Sequence, residues 1–95
     1  MYDHLAQAYT RLLRQASPQA AKCIEKIELQ YGTQAAVRAA FSLVLTMRYV
    51  RRVGQMPATD MLMWGDSCVA EDHPGAQHLY ERAHQALLAD LSAQH

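Results

Sequence analysis

The chain is 95 residues long, 51% of them apolar, with nine Lys and Arg against nine Asp and Glu. That length fits one domain, residues 1–95, whose modest core leaves little room for a deep enclosed active site. The zero net charge conceals a split: residues 1–54 carry eight basic and three acidic side chains, net +5, while residues 55–95 carry one and six, net −5. The acidic half would repel phosphates, which argues against long non-specific contact with nucleic acid outside a narrow basic face.

Abundant Ala, Leu, Gln and Arg, with little Gly, Pro, Ile or Val, favour helix throughout. The first helix is predicted over 3–16. Asp3 can cap its free amides, and Leu5, Ala8, Tyr9, Leu12, Leu13 and Ala16 recur at helical spacing. Ser17-Pro18 ends that helix and opens a second, because serine caps well and proline fits the first turn. The second helix reaches about Tyr31, with Ala20, Cys23, Ile24, Ile27 and Tyr31 on one stripe. Gly32 is a natural stop, and Thr33 is expected to cap the next helix.

The third helix, about 34–53, is the longest and most apolar. With Arg38 at the origin of a helical wheel, Ala36, Val37, Ala40, Leu43, Val44 and Met47 cover an arc from about 140° to about 260°, and Phe41 extends it to about 300°. Gln34, Arg38, Ser42, Thr46, Tyr49 and Arg52 gather opposite, and Leu45 on that side needs cover from another helix. This pattern marks the central helix of a bundle. Arg51 falls on the apolar arc, which is tolerable only where the helix end projects past the core or the side chain snorkels to water.

A turn over 54–60 comes next, and a short fourth helix over 60–69 would place Met61, Trp64 and Cys68 on one face. The acidic turn 70–74 leads to a last helix from near Pro74 to about Ala93, with Ala76, Leu79, Tyr80, Ala83, Leu87 and Leu91 as its core stripe. No internal repeat and no strand-like alternation interrupts this. The expected fold is all-α: a compact bundle of four to five helices around the central apolar helix.

The strongest functional signal is the end of that helix. Arg48, Arg51 and Arg52, with Tyr49 between them, could hold phosphates in bidentate fashion and stack on a base, or could dock on an acidic protein surface. Basic groups at a helix C-terminus also complement its dipole, at about 0.3–1 kcal/mol each, which accounts for one or two arginines more easily than three. Met56, Met63 and Trp64 form a second candidate, since a Met-rich segment with Trp can make an adaptable patch, or can equally pack as a lid over the bundle end. Residues 27–38 superficially resemble a helix-turn-helix that would offer Thr33, Gln34 and Arg38 to base edges. However, Arg38 falls where that motif wants an apolar residue.

His73, His78 and His84 with Glu81 do not converge on one ion, because His84 lies six residues beyond His78 and about 240° around the helix. They read as surface histidines, and no metal or cofactor is expected. Cys68 sits among Asp66, Glu71 and Asp72, which would raise its pKa and make it a poor nucleophile. No catalytic motif rises above background, and an enzyme is not expected. Cys23 and Cys68 show no metal-type spacing, and Met1 to His4 shows no secretory leader, so two reduced, buried thiols in a cytoplasmic protein are expected. No stretch is apolar enough for a membrane span.

The sequence therefore points to a non-enzymatic inhibitor or adaptor of the phage or plasmid accessory type, such as the anti-CRISPR proteins, by size and class alone. Its partner would be a protein or nucleoprotein machine with an acidic surface. The alternative is a small nucleic-acid binder, either a helix-turn-helix-like regulator or a subunit holding phosphate backbone. Opposite charges on separate faces would also permit a homodimer or head-to-tail association. Otherwise the acids sit among the arginines as weak surface pairs.

Overall fold

The computed structural model describes residues 2–54 and 73–93, and among them every regular element is helical. In chain order these are α1 (Tyr2–Ala16), α2 (Pro18–Tyr31), α3 (Thr33–Val53), a single 3-10 turn (Pro74–Ala76) and α4 (Gln77–Ala93). The fold is an all-α bundle with α3 at its centre. The helix expected over 60–69, with Met56, Met63, Trp64 and Cys68, lies outside the described residues.

The breaks between helices arise from local chemistry. Ser17 alone separates α1 from α2. Its extended backbone (φ −154°, ψ 99°) lets Oγ accept from the Ala20 amide at 3.3 Å, and Pro18 opens α2 at no hydrogen-bond cost. Gly32 alone separates α2 from α3. Its φ of +101° with ψ of 167° is a conformation that only glycine adopts readily, and its amide still reaches Glu28 O at 3.0 Å. The cap position of α3 is therefore Gly32, without a side-chain hydrogen bond, and the expected cap Thr33 is instead the first helical residue. Gly54, left-handed at φ +78°, ends α3 with its amide on Val50 O at 2.8 Å.

One buried cluster joins the four helices. Leu13 comes from α1, Ile24 and Ile27 from α2, Leu43, Val44, Met47 and Val50 from α3, and Tyr80, Leu87 and Leu91 from α4. The N-terminal half of α3 contributes Ala35, Ala36, Ala39 and Ala40, all buried. Side chains this small permit neighbouring helices to approach closely. The central helix packs against α1, α2 and α4, while α2 packs most extensively on α4.

Tertiary packing overrides the sequence expectation at several positions. Ser42 and Thr46, expected on the polar side of α3, are buried. Ser42 Oγ shares a 2.6 Å hydrogen bond with the Tyr80 hydroxyl, and Thr46 Oγ1 donates to Ser42 O at 3.1 Å, so both are satisfied without water. His84, expected at the surface, is buried edge-on to Tyr80, with ring centroids 5.6 Å apart, and among the described residues its Nε2 has no hydrogen-bond partner. Burial lowers its pKa below the usual histidine value, because the charged form loses hydration. Phe41, expected at the edge of the core arc, is 41% exposed and leans on Tyr9 of α1, centroids 5.8 Å apart. Cys23, expected to be buried, is a half-buried free thiol.

Candidate functional site

The arginine end of α3 is built by where the core stops. Val50 is the last buried residue of the helix, and Arg51, Arg52 and Val53 beyond it are exposed. Arg51 therefore does not enter the core despite its place on the apolar arc, since the helix projects past its neighbours there. Arg48 and Arg52 are one turn apart on the same face, and Arg51 lies beside them. All three are exposed, and among the described residues none of them makes an ion pair or hydrogen bond. Tyr49 is different. It is half-buried and packed against the core cluster, so only part of its ring is open beside the guanidiniums.

Arg38 lies on the same side of α3, about 15 Å from Arg48 along the helix axis. It is exposed but already engaged within the chain. Between these arginines the helix shows a pattern that periodicity alone does not isolate. Over residues 34–50, the exposed positions are Gln34, Arg38, Phe41, Leu45 and Arg48, and the remainder are buried or half-buried. Arg52 continues the series. The spacings alternate four and three, which traces one narrow stripe along a helix. Phe41 and Leu45, 41% and 37% exposed, form its middle, and arginines form both ends. Leu45, expected to be covered by another helix, is instead left 37% exposed on this stripe.

The other candidates separate. The helix-turn-helix reading requires a turn of three or four residues, whereas a single glycine joins α2 to α3, and Ala35, Ala36 and Val37 at the head of α3 are buried. Among the described residues no three His, Cys, Asp or Glu side chains are grouped to hold a metal. Glu81 accepts from Gln77 Nε2 at 3.1 Å, and His84 is enclosed. A groove of about 240 Å³ between α1 and α2 is lined by Thr10, Arg11, Arg14, Glu25 and Glu28, but its most prominent charges, Arg14 and Glu25, pair with each other. No helix among the described residues is long and apolar enough to cross a membrane. Compared with family models, with known proteins and with solved structures, the chain finds no match.

Proposed function

We propose that this chain is a non-enzymatic binding protein, an inhibitor or adaptor, that docks on an acidic surface of a larger protein or nucleoprotein assembly. The observation that carries this reading is the cluster of Arg48, Arg51 and Arg52 at the end of α3, exposed and without partners among the described residues. Three cations in five residues repel one another, and the helix dipole compensates only part of that cost. A partner that supplies carboxylates removes the repulsion and gains charge-assisted hydrogen bonds. The arginine end combined with the apolar stripe suits a protein better than a phosphate backbone. Phe41 and Leu45 would gain nothing from phosphates, and Tyr49 is half-buried against the core. We place this activity in the cytoplasm, in keeping with the free thiol of Cys23.

The test is the triple change Arg48→Gln, Arg51→Gln and Arg52→Gln, which keeps helix propensity and most of the stem while removing charge. Binding to the acidic partner should weaken by at least about tenfold, equivalent to about 1.4 kcal/mol, with the on-rate falling most at low salt. A nucleic-acid partner would show itself differently: log affinity would depend less steeply on log salt, by close to one unit per lost phosphate contact. A folded triple variant that binds at wild-type strength would move the working face elsewhere.

A further inference from the structure

We infer that the exposed stripe of α3 is a seam for one acidic amphipathic helix of the partner. This inference rests on the proposed docking function and names what the acidic surface is made of. Along residues 34–50, α3 is closed by its neighbours everywhere except at Gln34, Arg38, Phe41, Leu45 and Arg48, with half-buried Thr33 and Tyr49 at the ends. An opening one residue wide along a helix has room for one partner helix, and its apolar middle with a cationic end suits a partner face that is apolar and acidic. From Gln34 to Arg52 it is about 27 Å long, enough for about five turns of a partner. Its middle is apolar, through Phe41 and Leu45, and Tyr9 of α1 flanks it against Phe41. Its C-terminal end is cationic, through Arg48 and Arg52. A complementary helix therefore carries apolar residues at three- and four-residue spacing, with Asp or Glu placed to meet that end.

Charge decides against a second copy of this chain. Parallel pairing of two α3 seams sets Arg48 and Arg52 each against its own copy and opposes like charges, while antiparallel pairing sets them against the N-terminal end of the other seam, which carries no carboxylate. On the other described helices the carboxylates of α4, Glu81 and Asp90, are half-buried, and on α2 Glu25 and Glu28 beside the exposed Leu29 are interspersed with Lys22 and Lys26.

The experiment titrates the full chain with three probes at low salt. One is a helix-forming peptide of about 20 residues with Leu at alternating three- and four-residue spacing and Glu flanking one end. The second is its shuffled isomer, with the same composition and charge but no stripe. The third is a DNA duplex of about 20 base pairs. The patterned peptide should bind at least about tenfold tighter than the shuffled one. Leu45→Ser, at an exposed position, should erase that difference. Leu45→Glu should weaken the patterned peptide further, and circular dichroism should show both variants folded. Equal binding of the two peptides, both lost in the triple arginine variant, would overturn the seam and leave the acidic-docking reading standing. Tighter binding of the duplex than of either peptide, or no binding of any probe, would overturn both. Self-association at the titration concentrations that Leu45→Glu abolishes would make a second copy the occupant and overturn the inference.

Discussion

The two sides of α3 are made of the same kinds of residue and meet different fates. Leu43 and Leu45 are two residues apart, yet Leu43 is fully buried and Leu45 is 37% exposed. Leu43 touches the shared cluster of all four helices, whereas Leu45 sits between Phe41 and Arg48 on the open stripe. The contrast shows that apolar character on this helix serves two ends. One side holds the bundle together, and the other remains available after folding is complete. Stability and binding should therefore respond to different substitutions, and single changes on each side can sharpen that separation or break it.

The largest effect belongs to the closed side. Leu43→Ala should cost about 2–5 kcal/mol, the range for a leucine cavity in a tight core, and urea denaturation reads it directly. The Ala-rich surroundings, Ala36, Ala39 and Ala40, offer few long side chains to refill the space. A loss below about 1 kcal/mol would mean that α3 is not the centre of the core.

The polar contacts beneath α4 come next. Tyr80→Phe removes the hydroxyl that bonds Ser42 Oγ and should cost about 1–3 kcal/mol, because Ser42 is left buried without that partner. Ser42→Ala combined with Tyr80→Phe should cost less than the sum of the two single changes, as a double-mutant cycle would show.

On the open side Phe41→Ala should cost only about 1–2 kcal/mol. That is less than the range for a buried aromatic, because Phe41 already exposes 41% of its surface and loses mainly its contact with Tyr9. Phe41, which periodicity places on the apolar arc, should thus lose less than Leu43 because of its exposure.

His84 gives the closed side a pH signature. Its folded-state pKa is lowered by desolvation, so the folded protein disfavours the proton that the unfolded chain accepts. Stability from this group is complete above the ordinary value of 6.5 and declines as pH falls from there through the lowered folded value. Denaturation midpoints between about pH 8 and about pH 5 should show the decline, and His84→Leu should flatten it. An unchanged decline in that variant would assign the acid sensitivity to other groups.

Much of the fold was legible in the sequence because its determinants are local. Ser17-Pro18, Gly32 and Gly54 each stop or start a helix through their own backbone chemistry, and a window of a few residues suffices to see it. The core stripe of α4, including Tyr80, Leu87 and Leu91, was evident from spacing alone. The features that were not legible depend on a partner distant in the chain. Ser42 is satisfied in the core because Tyr80, far along the sequence, meets it with a hydroxyl, and no local pattern announces that. His84 looks like any surface histidine until the helices are packed around it. Periodicity showed which residues share a face of α3, but not which face the other helices leave open. The exposure of Phe41 therefore became visible only with the packing, while the arginines were legible because no core accommodates three of them.

The central claim is that the arginine end of α3 is spare to the fold. Its most direct test is the urea denaturation curve of the Arg48→Gln, Arg51→Gln, Arg52→Gln variant beside wild type and Leu43→Ala. The account predicts an unchanged slope and a stability within about 1 kcal/mol of wild type, the small loss reflecting weaker interaction with the helix dipole. A loss as large as that of Leu43→Ala, about 2–5 kcal/mol, would contradict it and make the three arginines part of the framework that holds the bundle together.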